Sequence, residues 1–116
     1  MLNGATVASN GVHGLEPDAP MTTDCNGYKT RATPYRFELM PADALLAVCE
    51  VFTHGAKDHG DNNWERGKVG HHVAKAIVHL LAWQIGDRSD SHLTHAGCRI
   101  LMAIALEIRQ KNAPTT

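Results

Sequence analysis

Residues 70–111 read GHHVAKAIVHLLAWQIGDRSDSHLTHAGCRILMAIALEIRQK, and the spacing of their apolar side chains decides the fold. At about 100° per residue, Val73, Ala76, Ile77, Leu80, Leu81 and Gln84 share one broad face of a helix from about Gly70 to Ile85, with His72, Lys75, His79 and Trp83 clustered beside it. From Ser91 to about Lys111, Leu93, Ile100, Leu101, Met102, Ile104, Leu106 and Ile108 surround nearly the whole circumference of a second helix. A helix apolar all round is buried, either centrally in its domain or in an oligomer interface. The short polar link Gly86 to Ser91 joins the two.

Polar intrusions into these helices need a reason. His92, His95 and Arg99 lie one turn apart along one side of the second helix, and His79 sits on the first. An unpaired buried polar group costs on the order of 1 to 3 kcal/mol, so such groups are hydrogen-bonded, metal-bound or facing a cavity. Spacing alone fits both a functional site and an ordinary pair where the helix emerges into solvent. His13, His59, His71 and His72, taken singly, read as partly exposed or satisfied side chains.

Working outward, Pro41 stands where a first-turn proline is expected and opens a helix through Ala44, Leu45, Val48, Cys49, Val51 and Phe52 to about Ala56. Asp43, Glu50, His54 and Lys57 form its other side, a stripe that fits solvent-facing charge as well as a site. The loop that follows, Gly55 to Gly67, is punctuated by Gly55, Gly60 and Gly67, with Asp61, Asn62 and Asn63 supplying turn chemistry and Trp64 a large flat surface. An aromatic flanked by amides suits a planar heterocycle, the ring stacking while the amides read its edge. Trp64 plugging the end of a bundle, with Asn62 or Asn63 capping a helix, fits equally.

The fold class is therefore all-α: a small bundle of three main helices, about 41–56, 70–85 and 91–111. Residues 1–35, rich in Gly, Ala, Thr, Asn and Asp with little periodicity, read as a flexible N-terminal arm, and residues 36–112 as the helical domain. A chain of 116 residues that is 43% hydrophobic makes one compact core. A net charge of −1 with no Lys/Arg block excludes a nucleic-acid or anionic-membrane surface, so any nucleotide is met in a pocket. Cys25, Cys49 and Cys98 are odd in number and widely spaced, which reads as reduced thiols rather than a disulfide framework. Without a basic start and apolar run at the N-terminus, or a segment that spans a bilayer, the expected location is the cytoplasm.

Three motifs in order carry a resemblance: Gly55-Ala56-Lys57 followed by Gly60-Asp61-Asn62-Asn63-Trp64; His79-Leu80-Leu81-Ala82-Trp83; and His92-Leu93-Thr94-His95-Ala96-Gly97-Cys98. Over about Glu38 to Glu107 the chain resembles the phage and bacterial dATP/dGTP diphosphohydrolase family, in particular its N-terminal-type module, related to MazG-like all-α nucleotide pyrophosphohydrolases. The resemblance implies a helical bundle that assembles at least as a homodimer. It also implies hydrolysis of a purine deoxynucleoside triphosphate to monophosphate and pyrophosphate with Mg²⁺ or Mn²⁺. By role, it makes Glu50 a catalytic carboxylate for metal or water, and His79 and His95 catalytic, with Glu50, His79, His92 and His95 as metal ligands. Lys57, Lys75 and Arg99 become phosphate contacts, and Asn63 and Trp64 base contacts.

MazG-like enzymes carry a Glu-x-x-Glu helix followed by a Glu-x-x-Asp helix, whereas the matching helices here offer Lys75 and His79, then His92 and His95. Imidazole suits Zn, Mn, Fe or Ni better than Mg, so zinc or another histidine-preferring metal is the alternative cofactor. Two other functions also fit the residues: a histidine-metal phosphohydrolase with a different product, and a non-catalytic nucleotide-binding or helical dimerisation module.

Overall fold

The computed structural model describes residues 19–32 and 35–113. The chain divides between Met40 and Pro41 into two compact units. Most of the expected arm, residues 1–18, lies outside the described residues.

Within the first unit, β1 (Met21–Thr23) and β2 (Lys29–Arg31) form an antiparallel hairpin with Met21 opposite Arg31 and Thr23 opposite Lys29. Its turn is an aspartate-centred one: Asp24 Oδ1 accepts the backbone N–H of Asn26 at 2.8 Å and of Tyr28 at 2.9 Å. Gly27 supplies the positive φ of 81° that such a turn requires. Strands of three residues are too short to show alternation, which is why the arm carries no periodic signal.

The second unit holds three helices, α1 (Ala42–His59), α2 (Val69–Gln84) and α3 (His92–Asn112), with a short 3₁₀ turn at Asn63–Arg66. The all-α bundle read from the sequence is the architecture observed, accompanied by the two-stranded hairpin. Pro41 stands just outside α1, its carbonyl accepting the Leu45 N–H at 3.1 Å. Gly55 does not stop α1, which continues to His59 and ends at Gly60, where φ is 92°. Gly86, at φ 93°, ends α2 with two crossed bonds, Asp87 N–H to the Ala82 carbonyl and Gly86 N–H to the Trp83 carbonyl, both 3.0 Å. That pair satisfies carbonyls the helix would otherwise leave open.

Helix α3 is the central element: α2 packs along it most extensively and α1 to a lesser degree. The core is built from small side chains, Ala76, Ala96, Cys98 and Ala103, closed by Leu106. Small residues let helix axes approach closely. A Cβ on Gly97 would stand 3.8 Å from a Val48 methyl, which marks where α1 crosses α3. Helix α1 offers Ala47, Val48, Val51, Phe52, Gly55 and Ala56 to this contact, a helical stripe that is half-buried throughout.

Much of the apolar surface of α2 and α3 stays open in the single chain. Val78 and Leu81 on α2 are 60% and 56% exposed, and Leu93 and Ile104 on α3 are 52% and 48% exposed. Of the two placements expected for α3, the domain centre accounts for one side of the helix only. Among the described residues, no helix is long and apolar enough to cross a membrane.

Candidate functional site

A cleft of about 990 Å³ opens between the C-terminal half of α1, the loop after it, the start of α2 and the first half of α3. Its walls carry Glu50, Asp58 and Asp61, the amides Asn62 and Asn63, the ring of Trp64, the guanidinium groups of Arg66 and Arg99, and His95. Glu50, His54 and Asp58 reach it because they repeat every four residues along one side of α1. The loop turns into it at Asn62, which adopts the left-handed conformation at φ 58° that asparagine tolerates.

One wall is held by a buried histidine. His72 is 2% exposed; its Nε2–H donates to the Trp64 carbonyl at 2.9 Å, and its Nδ1 accepts from Arg99 at 3.0 Å. A carbonyl only accepts and a guanidinium only donates, so the proton sits on Nε2. The imidazole therefore links the loop of Trp64 to the Arg99 guanidinium of α3. Gly67 makes room for it: a Cβ there would lie 2.7 Å from His72 Nε2. Trp64 is further held by Phe52, edge-on at 6.1 Å between centroids, and by Arg109, whose guanidinium lies over the indole at 5.2 Å and pairs with Glu65 at 2.6 Å.

A second cluster sits where α2 ends and α3 begins. His79 Nδ1 and His92 Nδ1 face each other at 3.0 Å, and the His95 ring stacks on His79 with centroids 5.0 Å apart and an interplanar angle of 17°. Two aspartates from the link complete it: Asp87 Oδ2 lies 3.0 Å from His92 Nε2, and Asp90 Oδ1 lies 3.3 Å from His95 Nε2. Burial pushes the His79 imidazole below its ordinary value, with repulsion from His95 and His92 adding to it. Asp87 is held down to about 2, first by the Ser89 backbone N–H and hydroxyl and then by His92.

Glu50, Asn63, Trp64, Arg99 and His95 thus share the cleft, while His79 and His92 meet beside it and reach it only through the stacked ring of His95. Lys57 and Lys75 are exposed and do not line it. The expected ligand set of Glu50, His79, His92 and His95 is not drawn to one point. Among the described residues, the one group of three possible metal ligands with all donor atoms within 4.8 Å is His79, Asp90 and His92. Sequence reasoning passed over Arg66, Asp87 and Asp90. A short polar link carries no periodic pattern, and Asp90, two residues before His92 at the entry to α3, is the one local signal it offers.

The family model described as dATP/dGTP diphosphohydrolase, N-terminal, matches residues 25–115. The chain belongs to this family. No curated protein and no solved structure matches it. The cleft and the histidine cluster both lie inside the matched region, so the dATP/dGTP diphosphohydrolase N-terminal domain as represented here contains both. The cleft's carboxylates form no three-ligand group.

Proposed function

We propose that this domain is a metal-dependent nucleoside triphosphate diphosphohydrolase that converts dATP and dGTP to the monophosphate and pyrophosphate, with Mg²⁺ or Mn²⁺ entering as part of the substrate complex. The observation that carries the reading is the composition of the cleft: an aromatic ring, side-chain amides, two guanidinium groups and carboxylates around one space. A purine nucleoside triphosphate calls on each. The base takes a flat apolar surface and amides, the polyphosphate takes guanidinium groups, and the accompanying cation takes carboxylate oxygens.

Trp64 and Asn63 are assigned to the base, and Arg66 and Arg99 to the phosphates. Arg99 enters this role already oriented by His72, which lowers the ordering required on binding. Glu50, Asp58 and Asp61 supply oxygens for the cation. Water attacks the α-phosphorus, the bond from that phosphorus to the α–β bridging oxygen breaks, and pyrophosphate leaves against the guanidinium groups. His95 takes the proton of the water; its Nε2 beside Asp90 places a carboxylate where an imidazolium needs one. The assembly is assigned as a homodimer, the exposed apolar sides of α2 and α3 being the surfaces a second copy buries.

The test is pyrophosphate release by the full chain from each common deoxynucleoside triphosphate with Mg²⁺ or Mn²⁺. Purine substrates should be preferred, and Arg99→Ala should lower kcat/KM by about 100-fold. Absence of pyrophosphate from every substrate overturns the enzymatic reading. If nucleotide then still raises the melting temperature, the domain is a binding module; release of phosphate or triphosphate identifies a different phosphohydrolase.

A further inference from the structure

We propose that His79, Asp90 and His92 form a binding site for a zinc-class divalent cation beside the cleft, distinct from the cation that would arrive with the nucleotide. The three residues come from the third turn of α2, the link and the first residue of α3, yet their donor atoms lie within 4.8 Å of one another. Two imidazoles and one carboxylate are the donor set of borderline transition ions, with positions left open for water. Mg²⁺ prefers an octahedron of oxygens and is not served by it.

The surroundings prepare the ligands. Asp87 Oδ2 can only accept from His92 Nε2 at 3.0 Å, so that nitrogen carries the proton and Nδ1 is turned toward His79. This is the carboxylate–histidine support that metal-ligating imidazoles use to fix tautomer and orientation. The two Nδ1 atoms, 3.0 Å apart, hold one proton between them, and a cation would displace it. Zinc–nitrogen bonds of about 2.0–2.1 Å at a tetrahedral angle set the nitrogens about 3.3 Å apart, so binding asks for an opening of only a few tenths of an ångström. Asp90 is steadied on the other side by the Ser91 N–H at 2.8 Å and by His95 Nε2 at 3.3 Å, while its half-exposed carboxylate leaves a way in from solvent. An ion held here fastens α2, the link and α3 together, and it meets the cleft at His95, whose ring stacks on His79 and whose Nε2 pairs with Asp90.

The experiment is titration of the chelator-stripped full chain with Zn²⁺ by calorimetry and with Co²⁺ by visible absorption. One ion per chain is expected, with a rise in melting temperature that millimolar Mg²⁺ does not reproduce. His79→Gln and Asp90→Asn should each weaken Zn²⁺ at least about tenfold, and Asp87→Asn about 10- to 100-fold, while His59→Ala leaves binding unchanged. Asp90 is on the surface, so Asp90→Asn keeps the comparison valid even where a histidine variant fails to fold. Sub-stoichiometric binding, equal affinity in Asp90→Asn, or displacement of Zn²⁺ by Mg²⁺ overturns the proposal.

Discussion

The His72 imidazole shows how little slack the site has. It fills the space a side chain at position 67 would need, and both its nitrogens are used. Gly67→Ala should therefore push the ring off the Trp64 carbonyl and destabilise the fold by about 2 kcal/mol, the cost of a buried bond left unmade. Gly70→Ala, where a Cβ meets open space at the start of α2, should instead stabilise by about 0.5 kcal/mol; denaturant unfolding of the two variants separates the effects. Cys98 is a second case. Burial pushes its thiol above the ordinary 9.0, with Arg99 opposing. Above that ordinary value the unfolded chain loses this proton before the folded one does, so the Cys98 contribution to stability is full below 9 and declines as pH rises through it. Alkylation at pH 8 should label Cys25 and Cys49, both exposed, and spare Cys98 until the protein unfolds.

At the scale of elements, the ends of the helices do the positioning. The φ of 93° at Gly86 lets α2 stop and delivers Asp87 and Asp90 to the histidines of α3. A side chain there is strained, so Gly86→Ala should destabilise by about 1 kcal/mol, measurable by thermal unfolding. The far end of α3 acts on the loop through Arg109, which lies over Trp64 and pairs with Glu65. Both partners are substantially exposed, so Arg109→Ala should change global stability by no more than about 1 kcal/mol. Its effect should appear locally, as faster amide exchange across residues 60–67 with the rest of α2 and α3 unchanged.

At the scale of the molecule, the open apolar sides of α2 and α3 are the surfaces assigned to the proposed homodimer. Replacing Leu81 and Ile104, both about half-exposed, by glutamate should convert a dimer to a monomer in sedimentation while leaving helical content intact. Unaltered mass would place the interface elsewhere. The sequence by itself determined the three helices, because a 3.6-residue apolar period is a local property written along each segment. It also determined that His92, His95 and Arg99 share one side of α3. The register of one helix against another is not local: it follows from where Ala76, Ala96, Gly97 and Ala103 let backbones approach. Only the tertiary structure could decide that Arg99 turns to His72, that Asp90 rather than Glu50 joins His79 and His92, and that His95 stands between the cluster and the cleft. Those choices depend on distances across 27 residues in one pair and 13 in another, which packing sets and no spacing along the chain records.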